Sequence, residues 1–575
     1  MKRENVFFVT IVAWIGLYPL GAVIAVQKSS KAIQDGIKLL QHQYSVPTFY
    51  KEETLQAVPK IIQSCVEHII ETDRRLNLTK LNVFSIKKSE LPYIENCLSI
   101  EYYPEGFKVG VHIADVSVYI KKGDSVDKEA CERANTFNPG RSTNSYQLLP
   151  EPLAEKCSLV ENETRLGISF FMYINKDYVC KKYDMVKSLI RSNKTFTYSE
   201  AEEKIDNASN NKEDVFSNSL NDLFIIAQKM QKKRLGDAVC AISIENDVYI
   251  NGDGRQITAK TCCLVGEFIL LVNSVASMRL VSAYPKCVPM VCQDPLSEKN
   301  VQEWLRSYPQ ICHLIGHLQQ TKILPNKELS VKYLSTKIRY SAIHRCQKWV
   351  WHKFKKCMDI VDNNDLADIQ IILGQADLHP MQGLALDEWQ SFQKPTMYRC
   401  SGKAESLASD ELKQFSITKC KTSLPNQLHI TSPITRFVDI LAHRLCHAAL
   451  NETIAPYNSD EVAELCRSMN KREKQAKLFA LKCKQLHLAY ELLRNPIFVH
   501  GFVKTISDSE IILFIPGFSW LSIECRKISF NLLQVYSCPE VIECREELRS
   551  DFEKDTVVLK WKRRVYSTDG KGPKP

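Results

Sequence analysis

The apolar positions near the N-terminus form two short runs instead of one long run. VFFVTIVAW and GAVIAV are rich in β-branched and aromatic residues, and Gly16, Pro19 and Gly21 lie at their junction. A membrane span or a signal segment needs an unbroken apolar stretch, and a proline in mid-span removes a helical hydrogen bond. The pattern therefore favours two strands of a small barrel joined by a turn over a membrane anchor or signal segment.

Along the rest of the chain, the spacing of apolar residues changes several times between that of strands and that of helices. Residues 83–120 alternate as strands, with Gly106 at a turn. Residues 459–493 have the period of one long amphipathic helix that is capped by Ser459 and ends before Pro496. The segment that follows, residues 497–524, shows short alternating strands broken by Gly and by Asp/Ser turns, which is typical of a small closed barrel. These patterns together predict an α+β protein with an antiparallel sheet and packed helices.

The composition is that of a globular protein with a mild positive charge. Of the 575 residues, 44% are hydrophobic and 25% are charged, and the formal net charge is +10. This charge is compatible with a polyanionic partner without proving one. The 21 cysteines are scattered and odd in number, with no two CxxC pairs at zinc-ribbon spacing. We therefore expect reduced thiols in a cytoplasmic protein, with the nucleus as the alternative, and no secretion.

Five segments, in order along the chain, resemble the motifs of one enzyme family. The two most specific, VGVHIADVSVYIKKGDSVDKEACERA and HITSPITRFVDILAHRL, are similar to the family patterns VHIADVSHFVxxGSxLDxEAxxR and HFTSPIRRYADxxVHRLL. The other three are LLPEPLAEKCSLVENETRLGISF, SLIRSNKTFTYSEA and LVGEFILLVNSVA. These motifs resemble those of the ribonuclease II (RNB) family of exoribonucleases. Within the family, the chain most resembles the RNB region of the large helicase-with-zinc-finger proteins.

This resemblance implies a domain order and a partner. Residues 46–494 would form the RNB-type domain, between the end of a cold-shock-like OB barrel at 1–45 and an S1-like OB barrel with a basic tail at 495–575. Active members of the family hydrolyse single-stranded RNA from its 3′ end, one nucleotide at a time, in a narrow channel. The resemblance therefore implies single-stranded RNA as the partner, with helicases or RNA-decay factors as further partners and no membrane.

The stretch FSIKKSELPYIENCLSI bears on catalysis. Active members hold magnesium through four aspartates in the pattern IDPxxxxDxDDA, because two hard divalent cations need several carboxylate oxygens beside a phosphate. An ungapped match puts Lys87, Tyr93, Glu95 and Asn96 at the four acidic positions, so that only Glu95 is an acid. A Lys87 ammonium about 4 Å from a divalent ion would cost at most about 8 kcal/mol at an effective dielectric near 20.

The resemblance also implies which residues would contact RNA. In the family, the arginine directly after SPI contacts a phosphate near the metal ions. Thr435 takes that position here, and the next residue, Arg436, is basic. We expect Arg436, together with Arg191 and Tyr198 of the segment SLIRSNKTFTYSEA, to lie near the path of the RNA.

Three hypotheses follow. The leading one is an RNB-family protein that binds single-stranded RNA and is catalytically impaired, a pseudo-nuclease. The second is an active 3′–5′ exoribonuclease with Mg²⁺ as its cofactor and a divergent site that uses Glu90 and Glu95. The third is a protein-interaction scaffold that has also lost RNA binding. Asp115, in HIADVS, lies outside the aspartate pattern, and we interpret it as a structural residue.

Overall fold

The chain folds into two compact units. The first unit comprises Met1–Val239, Gln256–Pro295 and Lys394–Pro496, and the second comprises the remaining segments. The computed structural model describes residues 5–28, 32–63, 74–87, 92–140, 144–207, 214–235, 259–292, 298–307, 384, 388, 391–392, 395–404, 427–497, 502–507, 509–515, 521, 526–529, 535–538 and 558–561.

Strands and helices alternate along the first unit. Its strands are β1 (Asn5–Ile15), β2 (Tyr18–Lys28), β3 (Leu76–Asn77), β4 (Val83–Lys87), β5 (Asn96–Tyr103), β6 (Gly106–Ala114), β7 (Thr164–Asn175), β8 (Cys180–Thr197), β9 (Pro289–Cys292) and β10 (Met397–Cys400). Its helices are α1 (Ile33–Gln43), α2 (Glu52–Gln63), α3 (Ser125–Arg133), α4 (Glu151–Cys157), α5 (Tyr198–Asp206), α6 (Val215–Leu235), α7 (Ala259–Ala283), α9 (Ser401–Ala404), α10 (Phe437–Leu450) and α11 (Ser459–Arg494), with a 3-10 turn at Val116–Val118. Helix α8 (Glu298–Ser307) belongs to the second unit.

A six-stranded mixed sheet forms the centre of the first unit. Its strand order is β3-β8-β4-β5-β6-β7, and β8 also pairs with β7. The first part of β8 runs antiparallel to β7, and its last part, Ser192 to Thr197, runs parallel to β4. Strands β4 to β8 therefore close into a ring. The α+β class is confirmed, but the expectation of an antiparallel sheet was wrong for β8 against β3 and β4, because side chains alternate with the same period in both kinds of pairing.

The buried core lies on this sheet and on the helices packed around it. Val109, Val111 and Ile113 on β6 and Phe170 and Met172 on β7 are at most 1% exposed. Helix α7 is apolar along most of its length, since Lys260–Ala283 is long and apolar enough to cross a membrane by length and composition alone. However, 67% of that apolar window is buried inside the protein, as expected for a core helix.

Two of the sequence predictions concern the ends of the first unit. Strands β1 and β2 pair antiparallel around Gly16, whose φ of 66° suits a glycine in a tight turn, so the two predicted strands are confirmed. The long helix predicted over 459–493 is α11, which has 36 residues. Its N-terminal cap is Asn458 and not the predicted Ser459, because the Asn458 side chain and Glu461 form a reciprocal capping box.

The described part of the second unit contains short strands as well as α8. Strands β11 (Phe502–Ile506), β12 (Glu510–Phe514) and β13 (Lys527–Ser529) form an antiparallel sheet, and β14 (Val535–Cys538) pairs with β15 (Val558–Trp561). The short alternating strands predicted after residue 496 are present as β11 and β12. The assignment of 495–575 as an S1-like barrel stays a prediction.

Candidate functional site

The four positions matched to the family's aspartates lie where β4 ends and β5 begins. Lys87 is the last residue of β4, and Asn96 is the first residue of β5, directly after Glu95. The two strands run antiparallel with Phe84 opposite Leu98. Glu90, the other acid of the predicted divergent site, lies outside the described residues.

The carboxylate of Glu95 is bound by a loop that precedes α10. The backbone N–H groups of Ile434 and Thr435 donate to Oε1 of Glu95 at 2.8 and 3.0 Å. The hydroxyl of Thr435 lies 3.2 Å from both carboxylate oxygens. We call residues 431–436 the signature loop. Glu95 therefore uses its lone pairs on three donors of this loop, which leaves fewer of them for a metal ion.

Several bonds fix the signature loop relative to the sheet and to α3. Thr136 donates its N–H to the carbonyl of Thr435 at 2.9 Å, and Phe437 donates to the carbonyl of Ala134 at 2.9 Å. The Asn96 amide donates to the carbonyl of Thr431 at 3.3 Å. The loop thus has little freedom to withdraw from Glu95.

Asp439, in the first turn of α10, holds the other side of the signature loop. Its Oδ1 accepts from the Ser432 N–H at 2.7 Å and from the Arg436 guanidinium at 3.0 Å. Asp439 is fully buried, and its second oxygen has no hydrogen-bond partner within the described residues. Asp439 was not among the site residues predicted from the sequence, although the pattern HFTSPIRRYADxxVHRLL contains an aspartate at its position.

The two acids and the arginine determine the charge at this place. Burial, with the nearby Asp439 carboxylate as the second cause, raises the pKa of Glu95 to about 7. Asp439 also raises the pKa of Arg436 above its ordinary value, despite burial, so the guanidinium stays charged. Burial and Arg436 hold the pKa of His429 well below its usual range, so this imidazole, 2.7 Å from the Tyr398 hydroxyl, is neutral. Near pH 7 Glu95 therefore exists in both protonation states.

The residues present do not fit the family's pair of magnesium ions. Tyr93 lies near Glu151 and Glu155 of α4, and burial, followed by these two acids, raises the pKa of its phenol to about 12. Asn96 offers only a neutral amide, and Lys87 is a cation. Across the described segments, no group of three or more His, Cys, Asp or Glu side chains is arranged to hold a metal ion.

The predicted RNA contacts lie in different places. Arg436 is in the signature loop, and its side chain is 24% exposed. Tyr198 begins α5 and follows Thr197, the residue of β8 that pairs with Lys87, so it lies close to the end of β4. Arg191 is exposed on β8, six positions before Thr197, which corresponds to about 20 Å along an extended strand. The structure thus brings Arg436 and Tyr198 towards the β4–β5 end and places Arg191 further away.

Asp115 belongs to a buried ion-pair cluster instead of this site. Its carboxylate accepts from Arg75 at 2.7 Å, from His447 at 2.9 Å and from Ser117 at 3.0 Å. The side chains of Asp115 and Arg75 are both 0% exposed. These contacts of Asp115 are internal, which agrees with the structural role assigned to it from the sequence.

The closed mixed sheet, with the signature loop bonded to Glu95 just before β5, has the fold of ribonuclease R-like proteins. RNase R of Mycoplasma genitalium in complex with ribose methylated single-stranded RNA aligns with a TM-score of 0.61 and 16% identity, over 87% of this chain and 71% of its own. Yeast Ssd1, a pseudonuclease, aligns with a TM-score of 0.64 and 16% identity, over 90% of this chain and 59% of its own. Residues 75–452 match the RNB domain, and the chain belongs to the RNB family.

Among curated relatives, the mouse protein named 3′-5′ exoribonuclease HELZ2 is 24% identical over 98% of this chain. The match covers only 18% of that relative's length. Two other matches also cover less than half of the relative's length: 25% of Ribonuclease R from Aquifex aeolicus, which is 36% identical over 184 residues, and 48% of the probable exosome complex exonuclease RRP44 of Caenorhabditis elegans. The resemblance to the RNB region of the helicase-with-zinc-finger proteins and to the exoribonuclease family is thus confirmed.

Proposed function

We propose that this chain is a single-stranded RNA-binding protein of the RNB family in which the metal-dependent hydrolysis of its active relatives is impaired. The observation that carries the proposal is the state of Glu95. It is the one acid among the four positions matched to the aspartates, and its carboxylate is bonded to Ile434 and Thr435 of the signature loop. A lost stabilisation of about 4 kcal/mol in the transition state corresponds to about a thousandfold in rate.

RNA binding is supported by what remains at the same end of the sheet. Arg436 is charged and partly exposed, Lys87 is a cation at the end of β4, and Tyr198 lies beside it. Cations that neutralise phosphates supply most of the affinity for a nucleic acid. Among the proteins of the same fold, RNase R of Mycoplasma genitalium forms a complex with single-stranded RNA, and yeast Ssd1 is a pseudonuclease.

The test incubates the purified chain with an end-labelled single-stranded RNA in Mg²⁺, in Mn²⁺ and in EDTA. We expect RNA retention that weakens with added salt and is unchanged by EDTA, with no shortening of the RNA. The acid Glu101 on β5, paired with Lys108 at 2.8 Å, provides a matched control, Glu101→Gln, for any substitution of Glu95. Retention that is absent at every salt concentration would favour the scaffold hypothesis instead.

An active Mg²⁺-dependent exoribonuclease is the second candidate, because the relative that matches 98% of this chain is named a 3′-5′ exoribonuclease. In that case a ladder of products shortened from the 3′ end should appear in Mg²⁺ and disappear in EDTA. Glu95→Ala should abolish the ladder, whereas Glu101→Gln should leave it intact. This result would refute the pseudo-nuclease proposal.

The domain order and cellular setting extend the proposal. Residues 1–45 would be the end of a cold-shock-like barrel, 46–494 the RNB domain, and 495–575 an S1-like barrel with a basic tail. The matched HELZ2 relative supports a helicase or an RNA-decay factor as a partner, since it belongs to the helicase-with-zinc-finger group that the sequence resembles. We place the protein in the cytoplasm or the nucleus. Limited proteolysis and fractionation of cells that express the chain would test these points.

A further inference from the structure

The hairpin formed by β1 and β2 exposes apolar side chains on both of its faces. Near its base, the ring of Phe8 lies 4.4 Å from the ring of His42 on α1, which attaches the hairpin to the rest of the unit. Beyond this contact, eleven large apolar side chains are 52 to 88% exposed. Trp14 and Ile15 are both among them, and consecutive side chains of a strand point to opposite faces. Neither face is therefore covered.

The exposed apolar area of the hairpin is larger than a monomer usually tolerates. A side chain of this class carries on the order of 100 Å² of apolar surface, so the exposed parts of the eleven amount to on the order of 700 Å². The largest apolar patch on a typical monomer is about 300–600 Å², whereas a standard interface buries about 800 Å² per partner. The area of the hairpin thus suits an interface.

The two edges of the hairpin differ in their fitness for pairing. Among the described residues, neither β1 nor β2 pairs with a third strand, so each edge has unpaired backbone groups. From Asn5 to Ile11, β1 has no glycine, proline, charged or extra residue. In β2, Pro19 lacks an N–H group, and Ile24 is an extra residue that forms a bulge. The edge of β1 is therefore the one that can accept another strand.

The absence of charge selects the kind of partner. No acidic or basic side chain lies between Asn5 and Gln27, so the hairpin offers a nucleic acid no cation and a charged protein no counter-charge. A lipid bilayer cannot bond the unpaired backbone groups of the β1 edge. A second copy of β1 can form these bonds, and it brings the same uncharged apolar side chains. Two identical surfaces pair around a two-fold axis, which makes the paired strands antiparallel.

We propose that β1 is a self-association strand through which two copies of this chain form a dimer. The β1 edges of the two copies pair antiparallel, which gives a four-stranded sheet with both β1 strands in the middle and a β2 strand at each outer edge. The added strand contacts side chains on both faces of β1, because these side chains alternate between the faces. Pro19 and the bulge at Ile24 blunt the outer edges, so association stops at two copies. This inference does not depend on the proposed RNA binding.

Val9 and Val23 provide a matched pair of substitutions for the test. They face each other across the hairpin, on the same face, and are 52 and 53% exposed. In the proposed dimer, Val9 lies beside the β1 strand of the second copy, whereas Val23 lies one strand further away, about 5 Å more. A lysine at either position removes the same apolar surface and adds the same charge, so only the distance from the partner strand differs.

The experiment is sedimentation velocity of the purified full chain over about a hundredfold range of concentration. We expect wild type to approach twice the monomer mass as the concentration rises. Val9→Lys should raise the dissociation constant at least about tenfold, because like charges meet across the interface, and Val23→Lys should change it less than about threefold. A mixture of Val9→Lys and Val9→Glu should regain the dimer, because opposite charges then face each other.

Each other outcome counts against the inference. Wild type that stays monomeric at every concentration, or that grows beyond two copies, would overturn the closed dimer. Equal weakening by Val9→Lys and Val23→Lys would indicate stacking of hairpin faces and overturn pairing through the β1 edge. Monomeric wild type that floats with phosphatidylcholine vesicles would identify lipid as the occupant instead. If thermal melts show that Val9→Lys is destabilised, the mixture with Val9→Glu decides, and a mixture that stays monomeric refutes the proposal.

Discussion

Replacing Asp115 by asparagine tests whether the buried ion-pair cluster is as essential as its contacts indicate. The substitution keeps the shape of the side chain and one acceptor oxygen, but it removes the negative charge. Arg75, whose side chain is 0% exposed, then keeps a buried guanidinium without a counter-charge. Arg75 also donates to the carbonyl oxygens of Gly167 and Ser188 at 3.2 and 3.4 Å, but these acceptors carry no charge and the bonds are long.

The expected loss of stability is large because the charged guanidinium of Arg75 is buried away from water. Removing one partner of a buried ion pair typically costs about 3–5 kcal/mol. Burial alone would raise the pKa of Asp115, but His447 and Arg75 together lower it, so its folded pKa lies below that of the unfolded chain. The stabilisation is therefore present above the ordinary pKa of an aspartate and is lost as the pH falls through the folded value. Asp115→Asn should remove this acid-sensitive part of the stability.

Urea unfolding of wild type and Asp115→Asn, followed by circular dichroism at pH 7, measures the shift of the midpoint. Because the chain has two compact units, the transition is fitted with its slope free, and a changed slope is reported separately. Glu132→Gln is the control, since Lys51 and Glu132 form an ion pair whose side chains are both more than half exposed. A midpoint for Asp115→Asn equal to that of the control would show that Arg75 is solvated or otherwise compensated, and would refute the reasoning.

Three other substitutions have defined outcomes. In the folded protein the pKa of Glu95 is about 7, above its ordinary value of 4.5, so ionisation of this carboxyl opposes folding. The free energy of unfolding of wild type should therefore fall by about 3 kcal/mol between pH 4.5 and pH 7. In Glu95→Gln this decrease with pH should be absent. Arg444→Lys loses the guanidinium that binds Asp127, Tyr457 and the Ile120 carbonyl. We expect the free energy of unfolding, measured by urea denaturation, to fall by about 1–3 kcal/mol. Gly106→Ala should lower the melting temperature, because the added Cβ would lie 2.1 Å from a carbonyl oxygen of β7. An unchanged melting temperature would contradict this close approach of β6 to β7.

The sequence alone predicts the family and the replacement of the family's aspartates, because continuous sequence motifs carry both signals. Lys87, Glu95 and Asn96 lie within ten positions of one another, so the end of one strand at Lys87 and the start of the next at Asn96 follow from local alternation. The binding of Glu95 by the signature loop joins segments 339 positions apart, and no local periodicity reports such a contact. Asp439 was missed for the same reason, since its role depends on which carboxylate faces it.

The sequence also did not predict the direction of β8 relative to β3 and β4. Apolar residues alternate equally in parallel and antiparallel strands, so the pattern of SLIRSNKTFT predicts a strand without its neighbour. The choice of β4 as its partner is made by tertiary packing: Phe84 on β4 contacts the rings of Phe196 on β8 and Phe216 on α6 at centroid distances of 6.1 and 6.0 Å. These ring contacts favour β4 as the neighbour of β8, a choice that the alternation of apolar residues does not determine.

The double use of β8 has a consequence for biosynthesis. Strand β4 is made early, yet its parallel neighbour at 192–197 leaves the ribosome more than a hundred residues later. Until then, β4 exposes an unpaired side that another extended chain could occupy. Nascent chains stopped before residues 192–197 have left the ribosome should therefore associate or recruit chaperones more strongly than chains stopped after these residues have left it. Pairings between such distant segments also make folding slow, because loop closure comes before the contacts that repay it.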